Sequence, residues 1–169
     1  MSKIKIENVR LSFPSLFKKS VFDGVETKYE ATFLFKKGSS THKEVEKAID
    51  NFIKEKFEDK VPKGLKITAL KDGDEKEYDG YEGMMALKAG NTKRFMIIDA
   101  DKTPLVEEDG RLYAGCYVNA ILDFWYSDHP KGGKQILGNL IAVQFLRNGE
   151  PFSDGAIASV DDFEDVSEF

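Results

Sequence analysis

One cysteine in 169 residues, Cys116, leaves no partner for an internal disulfide. The fold must then rest on packing rather than cross-links, and the chain suits a reducing cytoplasm. Histidine is nearly as scarce. His42 and His129 lie far apart, and neither has a Cys or His companion at metal-ligand spacing, so a surface role fits both better than a zinc site. No apolar run approaches the roughly 20 residues that cross a bilayer, and Met1–Glu7 alternates in charge where a signal peptide would be apolar. No membrane partner is expected. A glycine-rich phosphate cradle, a nucleophile elbow and the two-histidine zinc motif are all missing. Asp72-Gly73-Asp74 opens like a calcium loop, but Lys76 and Glu77 occupy the third-ligand and glycine positions. Asp99-Ala100-Asp101 has carboxylates of the kind a Mg²⁺ nuclease uses, yet Lys102 and Pro104 beside it read as a turn at a strand end. The expectation is therefore no catalytic residue, no metal and no cofactor.

What is present is a core-forming composition, 41% hydrophobic and 33% charged, which at this length fits one globular domain. The net charge of −5 argues weakly against nucleic acid until its distribution is read. Residues 153–169 hold six acids (Asp154, Asp161, Asp162, Glu164, Asp165, Glu168) and no Lys or Arg. Asp72 to Glu82 holds six more against Lys76, together with Tyr78 and Tyr81, and the remaining body is net +6. A basic body with segregated acids points to an interaction governed by charge.

Hydrophobic alternation places a first strand over Lys3 to Phe13. Ile4 and Ile6 share one face; Val9, Leu11 and Phe13 share the next after a bulge near Glu7-Asn8. Pro14 is expected to stop the pairing. Ser15 to Lys28 reads as a loop that turns at Asp23-Gly24 and exposes Phe17, Phe22, Lys18 and Lys19. Tyr29 to Lys36 is a second strand, with Tyr29, Ala31, Phe33 and Phe35 on one face. Thr41 and Glu44 form a capping box ahead of a helix whose apolar face is Val45, Ala48, Ile49, Phe52, Ile53 and Phe57, closed by Pro62 and Gly64. Shorter strands follow at Leu65–Leu70, Met84–Ala89 and Phe95–Asp99.

The longest strand pattern is Leu112 to Tyr126, in which Leu112, Ala114, Cys116, Val118, Ala120, Leu122 and Phe124 alternate and seek a core. Ser127 to Gln135 is a loop with two lysines flanking a Gly pair, Ile136 to Arg147 a return strand, and Asn148-Gly149 a turn. Past Phe152 the pattern dissolves, and a disordered acidic tail is expected over 153–169. The fold class is mainly β with one helix, a small mixed barrel or sandwich.

The opposite face of the long strand carries Tyr113, Tyr117, Asn119 and Trp125. Such rings either pack under a loop or form a stacking platform, and on this strand alone packing is favoured. Strand ends and loops add Arg10, Lys36, Lys37, Lys93, Arg94, Lys131, Lys134 and Arg147. Proteins that hold single-stranded nucleic acid combine a positive groove with rings on which bases stack, each base worth roughly 1–3 kcal/mol. Taken singly, each lysine is ordinary solvated surface. Taken together, basic loops beside an aromatic sheet face fit that role better than catalysis.

Four stretches together, Val9-Arg10-Leu11-Ser12-Phe13-Pro14-Ser15-Leu16-Phe17, Tyr29 to Phe35, Tyr113 to Ala120, and Val143 to Phe152, resemble a family of bacteriophage single-stranded-DNA-binding proteins with an OB-fold. The resemblance implies an OB-fold-like five-stranded barrel with added strands over 1–152, no enzymatic activity, and a flexible acidic tail over 153–169. It implies that Asp161, Asp162, Glu164, Asp165, Glu168 and the terminal Phe169 recruit replication or recombination proteins and compete with DNA for the groove. A homodimer is compatible with it. With the basic loops, the acidic tail and this resemblance taken together, Tyr113, Tyr117, Asn119 and Trp125 become the expected DNA platform, and Arg10, Lys36, Lys93, Arg94, Lys131, Lys134 and Arg147 the expected phosphate contacts. The helix at Thr41–Phe57 departs from the simplest OB strand order. An acidic DNA mimic that inhibits a host nuclease or restriction enzyme is the alternative that the acidic segments suggest.

Overall fold

The computed structural model describes residues 3–152, and the expected tail lies outside the described residues. The first strand, β1 (Ile4–Ser15), buries Ile6, Val9 and Leu11. Its register against a later strand slips between Ile6 and Val9, with Asn8 at φ 53°. Asn tolerates the left-handed region better than most residues, so the expected bulge is real. Pro14, however, does not end the strand. Pairing resumes at Ser15 after a second irregularity, and Phe13 within it has φ 45°. That left-handed residue breaks the alternation, so Phe13 leaves the core face it was expected to share with Val9 and Leu11 and stands 43% exposed.

Ser15 to Lys28 closes into a small hairpin rather than a plain loop, β2 (Val21–Phe22) and β3 (Val25–Glu26). Asp23 and Gly24 both have positive φ, as the favoured two-residue hairpin turn requires. Next comes β4 (Tyr29–Lys36), with the bounds the pattern predicts and Tyr29, Ala31, Phe33 and Phe35 all buried.

Helix α1 (Ser40–Phe57) buries Val45, Ile49 and Phe52 against the sheet. Its cap is Ser39, whose Oγ accepts the His42 N–H at 3.3 Å, not the Thr41/Glu44 box. It ends at Phe57, ahead of Pro62, because Glu58 turns to φ 56° while its N–H still reaches the Lys54 carbonyl.

The expected strand at 65–70 is split. β5 (Lys66–Ile67) pairs with the last strand, while β6 (Leu70–Asp72) pairs with β7 (Met84–Asn91). Between them Ala69 bonds to Ile136 and Lys88, bridging the two sides. β8 (Met96–Ile98), β9 (Tyr117–Ser127) and β10 (Gln135–Arg147) complete the set.

The barrel runs β1-β4-β7-β10-β9 and back to β1, antiparallel except for the parallel β7–β10 seam. That seam is only two residue pairs wide, Gly138 with Ala89 and Asn139 with Gly90. A methyl group on Gly138 would meet the Lys88 carbonyl, so glycine lets the backbones approach closely enough to close the barrel. Inside sit Phe33, Leu11, Leu87, Leu122, Ile136, Leu140 and Val143, with Cys116 among them. Burial pushes the Cys116 thiol pKa up, keeping it protonated.

The long strand also starts later than its pattern suggests. Leu112 to Cys116 is turn and extended chain, with Gly115 at φ 113° and the Cys116 N–H bonded to the Tyr113 carbonyl. From Cys116 to Phe124 the alternate residues are buried as expected. Among the described residues no helix is long and apolar enough to cross a membrane.

Candidate nucleic-acid interface

Pairing of β9 with β1 and β10 brings Arg10, Tyr117, Asn119 and Arg147 to one end of the outer sheet face. There they engage one another. The Arg147 guanidinium lies 3.8 Å over the Tyr117 ring and bonds to Asn8 Oδ1. Arg10 donates to the carbonyls of Gly115 and Glu150 and stacks 4.0 Å from the Phe152 ring. Asn119 accepts the N–H of the bulge residue Asn8 and donates to Gln144. Tyr113 precedes β9; its hydroxyl donates to the Gly149 carbonyl at 2.8 Å and accepts the Gly149 N–H at 3.0 Å.

Trp125 is 44% exposed, on the same face but eight residues along the strand. At about 3.3 Å per residue that is roughly 26 Å from Tyr117, with Ile121 and Asp123 between. Lys36, Lys93, Arg94, Lys131 and Lys134 are exposed at strand ends and loops outside this cluster. Lys37 is held by Asp72 and Asp74. The tail residues Asp161, Asp162, Glu164, Asp165, Glu168 and Phe169 lie outside the described residues.

A second assembly lies on the outer face of β4 and β7. The acidic stretch after β6 folds back over these strands, starting with the 3₁₀ turn Gly73–Glu75. Its base is fastened electrostatically. Lys37 pairs with both Asp72 and Asp74, and Asp74 also accepts the Gly83 N–H at 2.9 Å. The Lys37 hydrogen bonds hold both carboxyls below their ordinary value, helped by backbone N–H groups, and the carboxylates raise the Lys37 pKa.

The stretch delivers two rings. Tyr81 is 3% exposed; its hydroxyl meets Ser12 Oγ at 2.8 Å, and its ring packs with Leu34 and Ala86 in a small apolar cluster separate from the barrel core. Tyr78 is 51% exposed, edge-on to the out-turned Phe13 at 4.9 Å and to Tyr81 at 5.2 Å.

Beneath Phe13 and Tyr78 runs a groove of about 420 Å³, floored by Ala31, Thr32, Ala69 and Ala86 and edged by Lys71, Lys76 and Lys88, with Glu30 the one acid in its lining among the described residues. Lys88 lies 3.4 Å from Glu30. At its Thr68 side a 2.6 Å bond joins Thr68 to Gln135, where the β9–β10 loop carrying Lys131 and Lys134 ends.

A wider groove of about 990 Å³ lies along β8, but Glu107 and Glu108 offset two of its three cations, Lys18, Arg94 and Lys102. Of the two, the β4–β7 groove is the better match to phosphate and base. Sequence reasoning passed over its members. Two tyrosines inside an otherwise acidic loop, and a phenylalanine directly before proline, were the only signals available; nothing marked Lys71, Lys76 or Lys88.

A closed five-stranded barrel with a ring-bearing groove across its second and third strands is the architecture of the OB-fold, whose strand 2–3 face binds oligonucleotides and oligosaccharides. Here the helix falls between those two strands, β4 and β7. The chain belongs to the family described as Enterobacter phage Enc34, ssDNA-binding protein, whose model matches residues 2–168.

It is 41% identical over 175 residues to protein p50 of Acyrthosiphon pisum secondary endosymbiont phage 1, covering 98% of this chain and 94% of that protein. It matches the single-stranded DNA-binding protein of bacteriophage Enc34, solved in complex with ssDNA, with TM-score 0.71 and 31% identity over 89% of each chain. gp2.5, a single-stranded DNA binding protein encoded by bacteriophage T7, matches with TM-score 0.61 over 94% of this chain and 99% of its own. At 9% identity that is a likeness of fold alone.

Proposed function

We propose that this protein binds single-stranded DNA without sequence preference in the β4–β7 groove, acting in phage DNA replication, recombination or repair inside the host cell. The observation that carries the reading is the pair of exposed rings, Phe13 and Tyr78, held 4.9 Å apart over a floor edged by three lysines. Bases stack on the rings, and Lys71, Lys76 and Lys88 meet phosphates. Lys131 and Lys134 extend the basic track from the β9–β10 loop. Family membership supports the ligand class. The acidic segment 153–169 competes for the groove and recruits replication partners through its carboxylates and Phe169. The DNA-mimic reading is the weaker one, because Lys37 draws Asp72 and Asp74 into ion pairs at the base of the internal acidic stretch and the groove beside it is edged by lysines.

Titration with labelled single- and double-stranded oligonucleotides tests the reading. Phe13→Ala and Tyr78→Ala should each weaken single-strand binding by about 5- to 150-fold, the equivalent of one stacked base. If both bind like the parent while Tyr117→Ala or Trp125→Ala loses affinity, the DNA lies on the β9 face instead. Trp125 is the only tryptophan. Being on the other face, it should be quenched little by bound DNA.

A further inference from the structure

Phe152 is not itself among the residues lining the proposed DNA groove, yet its ring is built into the support of two that are, Tyr81 and Ala86. It packs with Met84 against the cluster of Leu34, Tyr81 and Ala86. On one side the Arg10 guanidinium lies 4.0 Å from the ring centroid. On the other, the ring fills the space next to Gly80, where any added methyl would overlap it. Gly80 has φ 84° and directly precedes Tyr81.

The segment leading to Phe152 is strapped in place at three points. Tyr113 grips Gly149, Arg10 donates to the Glu150 carbonyl, and the Phe152 N–H bonds to the Ala114 carbonyl at 3.0 Å. Arg10 and Tyr113 are thus held to the strap.

We infer that Phe152 is a positioning residue for DNA binding, a wedge that seats the 73–83 stretch on β4 and β7 and so sets the place of Tyr78. The inference rests on the groove reading above. Tyr81 is fixed at its hydroxyl by Ser12 and along its ring by the Phe152 cluster. Tyr78 hangs from Tyr81 through the ring contact and through the Tyr81 N–H bond to its carbonyl. Removing the wedge frees Gly80 and Tyr81 to shift, and Tyr78 shifts with them. The barrel core is a separate cluster and keeps its packing. Phe152 is also the last residue before the acidic segment, so a partner that grips that segment acts one bond from the wedge.

The test uses full-length chains carrying Phe152→Ala, Phe152→Leu, Tyr78→Ala and the Phe152→Ala/Tyr78→Ala pair, titrated with oligo-dT. Phe152→Ala should weaken binding at least about fivefold, the lower value for one stacked base. Phe152→Leu, which keeps an apolar wedge, should recover most of that. In the Tyr78→Ala background Phe152→Ala should add less than about twofold, since residues acting through one contact are not additive. Hydrogen exchange should quicken at the Tyr81, Gly83 and Met84 amides and stay unchanged in β9.

Parent-like affinity of Phe152→Ala, a full effect in the Tyr78→Ala background, or faster exchange throughout the barrel would each overturn the wedge. Parent-like affinity of Tyr78→Ala would instead overturn the groove reading itself, whatever Phe152 does.

Discussion

The groove carries a measurable electrostatic signature, because each phosphate neutralised on a single strand releases condensed counterions. The logarithm of affinity falls with the logarithm of salt by about 0.7 for each phosphate contact. Three lysines edge the groove, Lys71, Lys76 and Lys88, giving a slope of about −2 if each meets one phosphate. Raising salt from about 50 to 200 mM then costs roughly 20-fold in affinity. Lys88 shares its charge with Glu30 at 3.4 Å, so its part is the smallest. Any contact from Lys131 or Lys134 adds about 0.7 to the steepness.

The assay is fluorescence anisotropy of a labelled oligo-dT over that salt range, for the parent and for Lys71→Gln, Lys76→Gln and Lys88→Gln. Lys71→Gln and Lys76→Gln should each flatten the slope by about 0.7, and the triple variant should lose most of it. A parent slope shallower than −1 refutes the reasoning. So does a triple variant whose slope is unchanged, which would move the phosphates to another surface.

Other consequences follow from the same geometry. Ser12 is buried with its hydroxyl 2.8 Å from that of Tyr81, so Tyr81→Phe should destabilise by about 1–3 kcal/mol by removing one partner of a buried bond. Ser12→Ala/Tyr81→Phe should cost less than the two single changes added together, and additive urea-unfolding energies would contradict this. Asp72 and Asp74 lie below their ordinary value of 3.8 and Lys37 above 10.5. Their ion pairs therefore hold unchanged between those values, fail in acid as pH drops through the lowered carboxyl values, and fail in base as pH rises through the raised Lys37 value. NMR titration should find both carboxyls shifted back up in Lys37→Met. Removing residues 153–169 should tighten binding to single strands, most of all at low salt, because six competing acids are lost; an unchanged or weaker affinity would end the idea of competition.

Much of the barrel was legible in the sequence because strand alternation is a local property of an extended backbone. Tyr29 to Lys36, the buried set from Cys116 to Phe124, the Asp-Gly turn and the bulge at Asn8 all follow from neighbours in the chain. The apolar helix face was equally plain, although its cap sits at Ser39.

What sequence alone could not decide is where a ring ends up once alternation breaks or a loop crosses the sheet. Phe13 turns outward through one left-handed residue, while Tyr78 and Tyr81 reach the β4–β7 face only because their loop is fastened by Lys37, Ser12 and Phe152. Conversely, Arg10, Tyr113 and Tyr117 look available in a strand diagram, but the Arg10 guanidinium is taken up by Gly115, Glu150 and Phe152, the Tyr113 hydroxyl by Gly149, and the Tyr117 ring by Arg147. The groove gathers residues from 13 to 88 in sequence. Their juxtaposition depends on barrel closure and long-range contacts, which no local period encodes.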